Sequence, residues 1–178
     1  MAEFKFNLNQ DKMTLKNIIE SRRSIFPKDY TGKVIPVEIL DEVLNSATFA
    51  PNHKRTKPWR FKALLGEEKE KLGEELQRLY KESTAPAAFL HKKYEDIGFK
   101  IFRASVVVPI VVEFSGLVPE WEETAAVAMA VQNMYLTCTE HHLGCYWSSP
   151  PISLMLSSYL NLTENQRCLG VFYIGTLD

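Results

Sequence analysis

Residues 121–147, WEETAAVAMAVQNMYLTCTEHHLGCYW, decide how this chain folds. Ala125–Val131 is a run of seven apolar residues, mostly alanine, so a helix built from it has no angular sector suited to water. Alanine favours the helix, and its small side chain lets neighbouring backbones come close, which predicts a buried central helix over 121–142. Glu120, Glu122 and Glu123 put negative charge at the N-terminus of that helix, and Gly144 is the expected left-handed cap just past its end. Thr124–Thr139 holds no acidic or basic residue over 16 positions, yet it contains Gln132 and Asn133 and is shorter than the ~20 mainly apolar residues of a bilayer span. The stretch reads as a core helix.

Working outward, Val106–Phe114 (VVVPIVVEF) is dominated by β-branched residues and predicts a buried strand, with Pro109 marking a bulge or an unpaired edge position. On the other side, Cys145–Trp147 is a short extended piece leading into Pro150-Pro151. Ile152–Leu160 follows as a short helix and Cys168–Thr176 (CLGVFYIGT) as a last strand. Further upstream, Glu67–Lys81 carries Leu72, Leu76 and Leu79 on one side, the pattern of a surface helix; residues 82–105 give no clear period, although Pro86 can start a helix. Trp59–Leu65 reads as a strand. Pro36 opens a helix with Ile39, Leu40, Val43, Leu44 and Ala47 as its apolar stripe, ended by Pro51. Thr14 caps a first helix that closes at Arg22-Arg23 and stops before Pro27, and residues 1–13 read as a loose arm. Strands separated by helices give a single α+β domain over 1–178.

Composition narrows the function. With 21 basic and 22 acidic residues there is no overall field for a polyanion or an anionic membrane, so no nucleic-acid or membrane partner is expected. The polar N-terminus MAEFKFNLNQDK lacks the apolar run of a signal peptide, which makes the cytoplasm the expected location. Three cysteines, Cys138, Cys145 and Cys168, with no CxxC pair fit a reducing compartment.

Three polar clusters stand out against the core. Arg22-Arg23-Ser24 offers two guanidinium groups and a hydroxyl, donors suited to a phosphate, although arginines at a helix end also simply complement its dipole. The loop Asn52–Trp59 (NHKRTKPW) pairs one histidine with three cations and reads as a binding loop or as a solvated one. Trp147-Ser148-Ser149 can stack on and donate to a ligand, or form a core tryptophan followed by a serine-proline turn. No GxGxxG and no GxxxxGK[ST] is present, so any phosphate must be held by side chains. A competing constellation is Cys138, His141, His142 and Cys145, whose spacing suits a metal-binding helical domain, with burial of the thiols arguing against it.

Taken in order, RRS, APNHKRTKPWRF, the alanine-rich helix, LGCYWSS and GVFYIGT resemble the nitroreductase family of FMN-dependent oxidoreductases, and within it the small single-domain bacterial NAD(P)H nitroreductases, over about Thr14–Thr176. The resemblance implies a mixed, mainly antiparallel sheet flanked by helices, with the long central helix at a homodimer interface holding two FMN sites. It implies FMN binding by Arg22, Arg23 and Ser24 of one subunit and Phe49 and His53 of the other, completed by Trp147, Ser148 and Ser149, with Arg23 or Lys57 stabilising the reduced ring. The activity implied is hydride transfer from NAD(P)H through the flavin to a small flat acceptor such as a nitroaromatic or quinone, with no protein residue acting as acid or base. A non-catalytic FMN carrier or redox sensor would need the same pocket. Two departures stand out. Ser149-Pro150-Pro151 replaces a glycine donor to flavin N5, leaving Ser149 to substitute. The sequence ends at Asp178, so no arm exchange is expected and phosphate binding rests on Arg22 and Arg23.

Overall fold

The computed structural model describes residues 13–178, so all but the last residue of the expected N-terminal arm lies outside the described residues. Ten principal elements follow in order. They are α1 (Leu15–Ser21), α2 (Val37–Ala47), β1 (Trp59–Phe61), α3 (Gly66–Ser83), α4 (His91–Arg103), β2 (Val106–Glu113), α5 (Glu120–Glu140), β3 (Leu143–Ser148), a 3-10 helix (Pro151–Ser157) and β4 (Gln166–Thr176). The strands form one sheet in the order β1-β2-β4-β3, and every pairing is antiparallel.

Alternation along β2 builds two cores. Val106, Val108, Ile110 and Val112 turn to one face, where Ile39, Val43 and Ala47 of α2 and Ala126, Val127, Ala130 and Met134 of α5 cover them. Val107 and Val111 turn to the other face, under Leu72, Leu76 and Leu79 of α3 and Ile101 of α4. Burying each such valine, leucine or isoleucine side chain contributes on the order of 1.5–3 kcal/mol. An aliphatic strand buried on both faces needs exactly this sandwich of helices, and so reads as a continuous apolar run rather than an alternating one.

Pro109 sits in an inner strand, opposite Val171 of β4. The nitrogens of Val107 and Glu113 bond towards Leu64 and Pro58, so by alternation the nitrogen of Pro109 also points to the β1 side. There the ladder is interrupted between Phe61↔Ile110 and the isolated bridge Leu64↔Val107, so the missing N–H costs no bond. A bulge lies one step further, between Ile110 and Val111, with Leu169 as the extra residue of β4.

Several boundaries differ from expectation. The left-handed residue after α5 is His142, at φ 53°, while Gly144 lies within β3. Its small size serves packing, since a Cβ there would stand 2.5 Å from the ring of Tyr30. Pro36 caps α2 from outside rather than occupying its first turn. The helix expected over 152–160 is the 3-10 segment, and that expected from Pro86 resolves into a 3-10 turn at Pro86–Ala88 followed by α4. Lys69 of α3 is buried and donates to the carbonyls of Ile101, Phe102 and Ala104, satisfying the C-terminal end of α4.

The central helix is not buried all round within one chain. Ala126, Val127, Ala130, Val131 and Met134 are buried, but Trp121 is 69% exposed and Met129 39%, with Ala128 and Gln132 open on the same side. Among the described residues, no helix is long and apolar enough to cross a membrane.

Candidate functional site

Tyr135, near the C-terminal end of α5, gathers two of the three polar clusters. Its hydroxyl accepts the backbone N–H of Trp147 at 2.7 Å and shares a hydrogen bond with Ser24 Oγ at 3.3 Å. The guanidinium of Arg22 lies over its ring, 5.3 Å from the centroid, and Phe172 meets the ring edge-on. Burial raises the Tyr135 hydroxyl above the usual phenol value, so it stays a neutral donor and acceptor.

Local sequence explains how these groups converge. Thr14 Oγ1 accepts Asn17 N–H and starts α1, and the Arg22 N–H closes it on Ile18 O at 3.0 Å. The chain then turns extended, and Ile25 N–H bonds to Cys145 O, which holds Ser24 beside β3. Arg23 folds its guanidinium back onto the carbonyls of Glu20 and Arg22, each at 2.8 Å. Neither Arg22 nor Arg23 is paired with a carboxylate among the described residues.

On the β3 side, Gly170 shapes the segment Trp147–Ser149. It takes φ +143°, and a Cβ there would run into Ser148 O and stand 2.5 Å from Trp147 Nε1. The bulge at Leu169 and this glycine together let β4 pass tightly beneath the end of β3. Trp147 Nε1 is buried without a hydrogen-bond partner. An unpaired buried donor is costly, and this one lies in the Trp147–Ser149 segment beside the Tyr135 hydroxyl. Ser148 is half-buried and Ser149 exposed, and neither hydroxyl is engaged among the described residues.

The second cluster sits elsewhere. His53 Nδ1 meets Glu122 Oε2 at 2.6 Å, and Lys54 Nζ donates to Leu117 O at 2.9 Å, tying the loop to the N-terminal end of α5. Lys54, Arg55 and Lys57 all have positive φ, stored strain of the kind that collects at binding loops. Glu122 and Tyr135 are 13 residues apart on one helix, about 20 Å at ~1.5 Å rise per residue, so His53 does not join Arg22, Ser24 and Trp147 within a single chain. Phe49 is 75% exposed at the end of α2, three residues after Ser46, whose carbonyl accepts from Asn133 Nδ2.

The competing metal reading is not supported. Cys138 and Cys145 are buried in the core, and burial pushes the Cys138 thiol up. His141 is instead bonded to Glu42 at 2.8 Å, and no group of three or more ligand-type side chains among the described residues could hold a metal ion. Tyr135 is the residue that the clusters alone did not reveal. Its trace in the sequence is the one phenol in α5.

The family model described as the Nitroreductase family matches residues 19–176. An inferred NAD(P)H nitroreductase of Escherichia coli, YdjA, is 26% identical over 143 residues, covering 78% of this chain and 76% of the relative. A crystal structure of a nitroreductase-like family protein from Bacillus cereus is 27% identical with a TM-score of 0.77, covering 95% of this chain and 88% of that one. The FMN-dependent nitroreductase NfnB from Mycobacterium smegmatis, solved with NADPH, has the same fold at 16% identity, with a TM-score of 0.73 and coverage of 92% and 87%.

Proposed function

From the premise that this chain belongs to the nitroreductase family of oxidoreductases, we propose that it is an FMN-dependent NAD(P)H oxidoreductase acting on a small flat acceptor such as a nitroaromatic or quinone. The observation that carries this reading is the shelf around Tyr135. There the Arg22 guanidinium and the Ser24 hydroxyl, with Arg23 next in the chain, form a phosphate-type donor set beside a buried indole N–H and two serine hydroxyls that are unpaired among the described residues. That donor set fits a flavin mononucleotide. When bound, FMN supplies the two-electron relay between nicotinamide and acceptor.

The chain's own residues bind and orient. Arg22 and Arg23 hold the phosphate with Ser24, Trp147 Nε1 and the serines line the rest, and Ser149 N–H is the last backbone donor before Pro150 and Pro151. His53, held at the Glu122 end of α5, is too far along that helix to serve the same shelf, and we infer that it and the exposed Phe49 serve the shelf of a second copy, with one site at each end of a homodimer interface. The open face of α5, with Trp121, Ala128 and Met129, is the surface such a partner covers.

An anaerobic visible spectrum of purified protein, recorded before and after NADH or NADPH, tests the activity: flavin absorbance that bleaches with the donor is expected. A protein that neither carries nor takes up FMN sinks it. Replacing both Arg22 and Arg23 by Ala removes two charge-assisted contacts of roughly 1.5–3 kcal/mol each, so FMN affinity should fall by at least ~100-fold in a folded protein. Unchanged affinity rejects the phosphate assignment.

A further inference from the structure

A cavity of about 350 Å3 lies between α3, α4 and the segment Ser148–Ile152. Its floor is Val171 and Tyr173 of β4, part of the core on the sheet face away from Tyr135 and Arg22, so it is separate from the shelf described above. The volume is at the small end of ligand pockets, room for one substituted ring. Leu76, Ile97 and Ile152 make it apolar, while Tyr80, Tyr173 and the rings of Pro150 and Pro151 give it flat walls. The charged groups facing it are Lys93, Asp96 and Lys100. Lys100 is paired with Asp96 at 2.8 Å. Lys93 has no carboxylate partner among the described residues and holds its ammonium 5.1 Å from the centre of the Tyr80 ring. The cavity therefore carries one uncompensated positive charge at the edge of an aromatic and apolar slot. Burial first, and then the nearby Tyr146 and Asp96, keep the Tyr173 phenol neutral, so no second negative charge opposes an entering anion.

We propose that this cavity is a binding site for a small planar aromatic carboxylate, its ring between the tyrosine and proline walls and its carboxylate on Lys93. The proposal does not depend on the flavin assignment. Because Ser148 lines the cavity and directly follows Trp147 in β3, occupancy here would also fix the segment that carries Trp147.

Benzoate, its neutral analogue benzamide and the cation benzylamine are the probes, titrated calorimetrically and by amide chemical-shift mapping into protein with and without added FMN. Saturable benzoate binding is expected, with shifts at Ile97, Ser148 and Tyr173. Benzamide and benzylamine should bind at least ~10-fold more weakly, the effect of losing one charge-assisted contact. Lys93→Met should weaken benzoate by a similar factor, whereas Lys92→Met, the same charge change one residue outside the cavity, should not. Ile97→Trp, which fills the space, should abolish binding while circular dichroism reports a folded chain. Equal affinities for the three probes, an equal loss in Lys92→Met, shifts confined to Arg22, Ser24 and Trp147, or no saturable benzoate binding at all would each overturn the assignment.

Discussion

A single hydroxyl joins Ser24 and Trp147, which are far apart in the sequence. Tyr135 bonds Ser24 on one side and the Trp147 backbone on the other, so the phenol converts two surface loops into one shelf. Replacing it by phenylalanine keeps the ring under Arg22 but leaves the Trp147 N–H without its partner in a half-buried position. Tyr135→Phe should lower unfolding free energy by about 1–3 kcal/mol in urea titrations, and should weaken FMN binding as the Trp147 segment loosens. A variant as stable as the parent, with unchanged FMN affinity, would show that water replaces the hydroxyl. The same residue marks the limit of sequence reading at this scale. Arg22-Arg23-Ser24 and Trp147-Ser148-Ser149 were legible as donor clusters because their chemistry is local. Their adjacency was not, because it depends on which residue of α5 faces them.

At the scale of elements, β2 is stitched to both neighbours by one carboxylate. Glu113 accepts from Gln166 of β4 and takes the Arg60 guanidinium of β1 in a two-pronged pair, at 3.1 and 2.8 Å. The Gln166 amide most strongly holds the Glu113 carboxyl below the usual carboxylate range; burial opposes it, and the Arg60 guanidinium adds to the lowering. A depressed value means that the contribution is fully present above the unfolded-state value of about 4.3 and is lost as pH falls through the lower folded-state value. In Glu113→Gln that acid-sensitive contribution disappears. The stability difference between parent and variant should therefore shrink steadily when unfolding is measured from about pH 6 down to about pH 3. A difference independent of pH would reject the ionic role of Glu113. The pairing of β2 with β1 and β4 could not be foreseen from Val106–Phe114 alone, since a strand buried on both faces carries no mark of which strands flank it.

For the whole molecule, the open face of α5 is the outstanding feature. A helix with Trp121 69% exposed and Met129 39% exposed is poorly solvated as a lone chain, and on the proposed reading His53, held at Glu122 about 20 Å along the helix from Tyr135, serves the site of a second copy. Met129→Glu places a charge in the centre of that face. Sedimentation should show the parent as a dimer and the variant shifted to monomer, with FMN lost in parallel because Phe49 and His53 no longer reach the partner's shelf. A variant that stays dimeric and retains FMN would place the interface elsewhere.

The sequence by itself determined most of the elements, α4 excepted, and most of their burial, the open face of α5 excepted. The alanine run specified a core helix, the β-branched run a strand covered on both faces, and the prolines and caps most of the boundaries, because these follow from local periodicity and propensity. It also supplied the motifs by which the family is recognisable. Only the tertiary structure decided that Tyr135 binds the first and third clusters together, that the second stands at the other end of α5, that the thiols and histidines of 138–145 diverge, and that Gly144 is a packing residue rather than a cap. Each of these depends on which side chains from distant segments meet across the sheet, and contacts of that kind leave no period in the chain that forms them.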